Sequence, residues 1–212
     1  MRLTKLGHAC VRLAKNGSNL VIDPGVWSGP GALDGASAML ITHEHPDHLD
    51  TEAVLAALAA DPGLGVWANE AVAGHLTAAG SGQVHVVRGG DAFEVAGFSV
   101  HAYGHEHAVI HRSVPVIPNT GFLVDGAVFH PGDALTIPED PAPVLMLPYN
   151  APWLKVGEMI DYVRAVGPAR AYAIHDGLLN ERGLGLMANL LRMAQPDGAE
   201  YARLEPGTSV DL

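Results

Sequence analysis

Two runs of short strands, each followed by helices, predict an α/β chain in which two β-sheets are covered by helices. Strand-like segments fill the first quarter of the chain and recur after residue 91, and helix-forming segments follow each run. No stretch of linker composition divides the 212 residues, so one domain spanning 1–212 is expected. With 48% apolar and 17% charged residues, the chain has the composition of a soluble globular protein and the length to bury a sizeable core.

The first strands are RLTKL (2–6), ACVRLA (9–14), NLVIDP (19–24) and AMLIT (38–42), with Asn16, Gly17 and Ser18 turning the chain between the second and third. The Gly- and Pro-rich stretch 24–36 is a loop. TEAVLAALAAD (51–61) has helix-forming composition and Asp50 as its N-cap. GVWAN (65–69), a second helix near 70–79, and VHVV (84–87) continue the alternation. AFEVAG, FSVHAYG, GFLVDG and AVFHPG are short, turn-bounded strands. PVLMLPY (143–149), ARAYAIH (169–175) and EYARLEP (200–206) are strands separated by helices over 154–166 and 180–194. Direct comparison of the two halves shows no sequence repeat.

A net charge of −11 with only 12 lysines and arginines argues against a nucleic-acid partner, whose phosphates would need a basic face. No apolar run approaches the roughly 20 residues of a membrane span, and the N-terminus lacks the apolar stretch of a secretory signal. No membrane insertion and a cytoplasmic location are therefore the expectations. The lone cysteine, Cys10, cannot form an internal disulfide. Twelve histidines are the unusual count.

Three of them lie in MLITHEHPDHLD (39–50), where a buried strand runs into His43, His45, Asp47 and His48. Strand ends are where α/β folds place ligands. If the segment stays extended through Pro46, the spacing of two brings His43, His45 and Asp47 to one side, while His48 points elsewhere. That divergence suits two neighbouring metals, His43 and His45 serving one, Asp47 and His48 the other. Glu44 lies off the alternation.

HEHPDH resembles the HxHxDH signature of the metallo-β-lactamase superfamily, and the order of features along the whole chain is similar to its small hydrolases of the ascorbate-phosphate lactonase type. The resemblance implies a four-layer αββα sandwich, two mixed sheets face to face with helices outside, and metals at one edge. It also implies further ligands: His107 in YGHEHAVIH, with His105 as fallback; a bridging Asp133 in FHPGDAL; and His175 in AYAIHDG. His43, His45, Asp47, His48, His107, Asp133 and His175 would then hold two divalent ions sharing Asp133. A set without thiolate suits zinc, with manganese or iron as alternatives. Asp47 would orient the nucleophilic hydroxide and Asp133 fix the metal separation.

Around this set, His8 is expected to bond backbone or line the pocket, and Asp23 to receive the second N–H of a metal-bound imidazole. His111 and His130 are supporting groups, and Asn119, Tyr149 and Trp153 lie in loops that can shape a substrate pocket. His75, His85 and His101 are surface or packing residues. The function expected is a metal-dependent hydrolase of an ester, lactone, thioester or phosphoester in a small-molecule substrate, with Arg112 and Lys155 the cations nearest in sequence for a phosphate. The competing readings are a mononuclear iron thiol or persulfide oxygenase of the same fold and a non-catalytic metal-binding protein. A homo-oligomer is compatible with the sequence.

Overall fold

A computed structural model describes residues 1–78 and 83–212, Ala78 by its backbone alone. The chain opens with an antiparallel meander, β1 (Arg2–Gly7), β2 (Cys10–Lys15) and β3 (Ser18–Ile22). Parallel strands β4 (Ala38–Ile41), β5 (Val66–Ala68) and β6 (Val84–Val86) follow, joined by helices α1 (Thr51–Ala60) and α2 (Glu70–Ala78). The second half repeats the plan. An antiparallel run, β7 (Ala92–Val95), β8 (Phe98–Tyr103), β9 (Gly121–Val124) and β10 (Val128–His130), precedes parallel β11 (Val144–Pro148), β12 (Arg170–Ile174) and β13 (Glu200–Ala202). Helices α3 (Val156–Val166) and α4 (Glu181–Ala194) make the last two crossovers, and β14 (Ser209–Asp211) returns to pair with β1. The sheet orders are β14-β1-β2-β3-β4-β5-β6 and β13-β12-β11-β10-β9-β8-β7.

Alternation within strands builds the layers. In β11, Val144 and Met146 join Leu3, Leu13, Leu40, Phe122 and Ile174 in the core between the sheets, whereas Leu145 and Leu147 face outward onto Met159 and Val163 of α3 and Leu191 of α4. In β4, Leu40 points inward and Met39 and Ile41 meet Val54 and Leu58 of α1 and Val72 and Leu76 of α2. Central strands buried on both faces need continuous apolar runs, which is why AMLI and VLMLP read as such. The result is the αββα sandwich, and no described helix is long and apolar enough to cross a membrane.

Asp50 caps α1 by accepting the Ala53 N–H at 3.0 Å, and Asn180 caps α4 through the Gly183 N–H at 3.0 Å. The helix expected near 70–79 is α2, described to Ala78, residue 79 lying outside the described residues. Two expectations differ. The strand over 200–206 stops at Ala202, after which the chain turns back and adds the unanticipated β14. The segment 43–48 is not extended: the His48 and Leu49 N–H groups both donate to the His45 carbonyl at 2.9 Å, closing a turn with Pro46 at its second position.

Candidate metal centre

That turn gathers the side chains in place of strand alternation. It follows β4 at one rim of the sandwich, where the other sheet delivers His107 from the loop after β8, Asp133 from the turn after β10 and His175 from the end of β12. Two groups of potential ligand atoms result: His43, His45, His107 and Asp133; and His8, Asp47, His48 and His175. His43 Nε2 and His45 Nδ1 lie 3.1 Å apart. Asp133 joins the groups, with Oδ1 3.1 Å from His48 Nε2 and Oδ2 3.1 Å from His175 Nε2 and 3.4 Å from His107 Nε2.

Four of the imidazoles, those of His43, His48, His107 and His175, have their protons placed by a partner behind them. Thr42 Oγ1 donates its one proton to Asp23 Oδ2 (2.7 Å), so it accepts from His43 Nδ1 (3.0 Å). His48 Nδ1 donates to the same Asp23 oxygen (2.7 Å), His107 Nδ1 to the Ala108 carbonyl (2.6 Å), and His175 Nδ1 to the Asn150 carbonyl (2.7 Å). All four Nε2 atoms are thus left to face the cluster, the arrangement by which outer partners orient metal-binding histidines. His8 is set the other way. Its Nδ1 accepts the Gly177 N–H (3.2 Å), so Nε2 carries the proton and donates to Asp47 Oδ2 (3.1 Å). His8 therefore orients Asp47 and offers no lone pair to an ion.

The residues present fit a cation. Among the described residues, seven buried side-chain polar atoms lack a hydrogen-bond partner, and four of them meet here: His48 Nε2, His107 Nε2, His175 Nε2 and Asp133 Oδ1. Buried polar atoms are rarely left orphaned, and atoms this close without hydrogen-bond geometry are those aimed at a shared ion.

The backbone is strained at the same place. Among the described residues six non-glycine residues have positive φ; Asn16, Ala96 and Asp125 precede glycines in hairpin turns, and the other three are His8 (38°), Asp23 (53°) and His175 (57°). Gly132 (φ 64°) lets the Asp133 turn pack against β4: an added Cβ would lie 2.3 Å from Asn119 Oδ1 and 2.6 Å from Thr42 Cβ. Asn119 clamps that turn, accepting the Asp133 N–H (3.0 Å) and donating to the Pro131 carbonyl (2.8 Å). Gly132→Ala is expected to destabilise the fold by roughly 2–5 kcal/mol, combining left-handed strain with overpacking, as a denaturant melt would measure.

Protonation separates the groups. Burial, reinforced by the charge of His48, holds His43 well below its ordinary pKa, and burial also lowers His45, so both are neutral. Burial opposes charge on His48 and His175 too, but the carboxylates of Asp133 and Asp23 hold His48 well above its usual range, and Asp133 and Asp47 raise His175 to about 9. Burial pushes both site carboxyls up, yet the facing histidines outweigh it and keep Asp47 and Asp133 ionised. In metal-free protein, the proton on His175 stabilises the fold fully below pH 6.5, and that contribution is lost as pH rises through about 9. An ion in the second group must displace the same proton. Between pH 6.5 and 9 the melting temperature of chelated protein should therefore fall, while ion affinity at this group rises by up to about tenfold per unit for each displaced proton. Melting curves and metal titrations across that range check both trends, and parallel trends would refute the assignment.

A family model described as the Beta-lactamase superfamily domain matches residues 2–175. The chain belongs to the metallo-β-lactamase superfamily. One superfamily relative in Mycobacterium tuberculosis, Protein Rv0786c, is 40% identical over 192 residues, 88% of this chain and 89% of its own length. The Agrobacterium fabrum protein named UPF0173 metal-dependent hydrolase Atu1317 is 36% identical over 109 residues, 47% of this chain and 45% of that one. The solved structure of Igni18, described as a novel metallo hydrolase from Ignicoccus hospitalis, superposes with a TM-score of 0.72 at 21% identity, covering 99% of this chain and 97% of that one; this likeness shows the fold.

Within this superfamily chain, several expected residues lie elsewhere. His105 is exposed and lines a separate cleft with Asn69, Glu70 and Arg88, whereas His107 is buried at the cluster; the segment does not follow strand alternation, which would put residues two apart on one side. His111 is exposed and bonds Ser113 Oγ (2.7 Å), so it supports nothing at the cluster. Tyr149 packs in the core under α3 and does not shape the pocket. His130 donates to the Ala9 carbonyl (2.9 Å) across the two sheets and accepts the Gly132 N–H (3.2 Å), steadying the Asp133 turn. Trp153 Nε1 donates to Asp133 Oδ2 at 3.0 Å. Glu44 pairs with His75 at 3.1 Å on the surface. Sequence reasoning missed Thr42 and the buried Lys5, whose Nζ bonds the Ala173 carbonyl (2.7 Å) and Asp176 Oδ1 (3.1 Å) beside His175. Lys5 falls on the inward face of β1 by simple alternation, a signal that was present.

Proposed function

We propose that the chain is a metal-dependent hydrolase that cleaves an ester, lactone, thioester or phosphoester bond in a small molecule at this cluster. The observation that carries the reading is the convergence of three unpartnered, buried Nε2 atoms, those of His48, His107 and His175, with Asp133 Oδ1 and the His43 Nε2–His45 Nδ1 pair on shared space, while the Nδ1 atoms of His43, His48, His107 and His175 are held from behind. His43, His45 and His107 would hold one ion, Asp47, His48 and His175 a second, with Asp133 between them. Nitrogen and oxygen donors without thiolate suit zinc, manganese or iron, and such ions supply acidified water and a Lewis acid for the scissile group.

The protein's own part is positional. His8 fixes the Asp47 carboxylate by donating from Nε2, leaving the other Asp47 oxygen to accept a proton from a nucleophilic water. Asp133 is held from three sides by Trp153, Asn119 and the His130-braced turn, so its two oxygens keep different histidine neighbours. Relatives carrying the name metal-dependent hydrolase support the reading.

Elemental analysis of protein purified without chelator is the test, paired with hydrolysis assays before and after chelation. Two redox-inert ions per chain, with hydrolysis lost on chelation and restored by zinc, are the expected result. One iron per chain with oxygen consumption would replace this reading by the oxygenase.

A further inference from the structure

We propose that the cleft above the cluster takes an uncharged ester or lactone of a carboxylic acid with an apolar body, and rejects substrates bearing phosphate or a free carboxylate. The inference rests on the hydrolase reading above and narrows its four bond types. A cleft of about 340 Å³ opens over His45, Asp47, His107, Asp133 and His175, within the usual range of roughly 300–1,000 Å³ for small-molecule sites. A larger hollow of about 420 Å³ between the 24–34 loop and α1 contains none of the cluster residues.

The walls of the first cleft are Val26, Trp27, Ile110, Pro152, Trp153 and Leu178. Val26, Trp27, Ile110 and Leu178 leave 40–54% of their surface to water, a costly display for four large apolar side chains around one opening unless a ligand covers them. Among the described residues no lysine or arginine lines this cleft. Lys155 is turned to solvent beside Glu158, Lys5 is buried against Asp176, and Arg112 is exposed and is not among the residues that line the cleft. A phosphate or carboxylate on the substrate body would thus be desolvated without a cationic partner and with Asp47 and Asp133 below it. Ions bound to the cluster would offer positive charge only at the floor, where the reacting carbonyl sits.

The reaction balances without a co-reactant. The acyl carbon–oxygen bond breaks as water oxygen bonds that carbon, one water proton goes to the departing alkoxide, and the acid product releases the other to solvent.

The test uses zinc-loaded protein and 4-nitrophenyl acetate, butyrate and hexanoate, with the glutarate half-ester and 4-nitrophenyl phosphate for comparison. Tryptophan fluorescence reads the binding of hexanamide without requiring turnover. Expected are a rise in kcat/KM of about two- to fourfold per added methylene and a drop of at least about tenfold for the half-ester relative to butyrate. Leu178→Lys should flatten the chain-length series and raise the half-ester relative to hexanoate. Cleavage with no chain-length dependence, or a preference for the half-ester or the phosphate, overturns the proposal while the hydrolase reading stands. Hexanamide binding that exceeds acetamide binding, with none of these esters or the phosphate cleaved, supports the apolar cleft and sinks the hydrolase reading. Equal binding of the two amides overturns the proposal by itself.

Discussion

Replacing Asp133 by alanine should lower metal content to at most one ion per chain and reduce hydrolysis by roughly 10²–10⁴-fold, the several kcal/mol that one divalent ion contributes to a charged transition state. The expectation follows from position. Asp133 is the one carboxylate whose two oxygens face histidines of both groups, Oδ1 toward His48 and Oδ2 toward His107 and His175. Alanine also removes the main charge that keeps His175 protonated near pH 9 in metal-free protein, so its titration should move down, which imidazole proton resonances report. Asp133→Asn keeps the shape and separates loss of charge from loss of packing. Two ions per chain in both variants would remove the shared-carboxylate arrangement.

Asp23→Asn should weaken ion binding about 10–100-fold without touching a ligand. Asparagine tolerates the left-handed backbone at this position, φ 53°, so the strain changes little. The hydrogen bonds change more. Asp23 accepts from the Thr42 N–H at 2.8 Å, the Thr42 hydroxyl at 2.7 Å and His48 Nδ1 at 2.7 Å, three donors on two oxygens. An amide must turn its NH₂ toward one of these sides and oppose a donor there. If it faces His48, the ring must accept at Nδ1 and move its proton to Nε2, the atom aimed at Asp133. Unsatisfied donors in so buried a place add roughly 1–3 kcal/mol of destabilisation. Titration against a competing chelator measures the affinity, with Asp50→Asn at the α1 cap as control. Equal affinity in both variants would show that Asp23 has no part in aiming the ligands.

The ligand types at the cluster were legible because metal chemistry restricts them to a few side chains, and because buried strands such as AMLI and VLMLP announce where a sheet ends. The turn at Pro46 is not legible in the same way: an extended segment and a turn with proline at its second position both leave the residue before the proline non-helical, and local sequence alone does not choose between them. The carbonyls of Ala108 and Asn150 that orient His107 and His175 carry no sequence signature, since any residue supplies them. Thr42 is visible as a hydroxyl beside His43, but its relay exists only because β3 brings Asp23 alongside β4. β14 is only three residues, half-buried Val210 between exposed Ser209 and Asp211, and its pairing partner lies at the other end of the chain.

Each group of ligand atoms takes members from both sheets: the turn after β4 on one side, and the ends of the β8–β12 half on the other. An ion held by either group is thus a cross-link between distant parts of the chain, closing a loop that would otherwise lose much entropy on folding. With a single cysteine, this chain has no disulfide to serve that purpose. Its persistence under heat or dilution would then be governed by how fast ions leave, so that metal-free and metal-loaded protein differ more in lifetime than in shape.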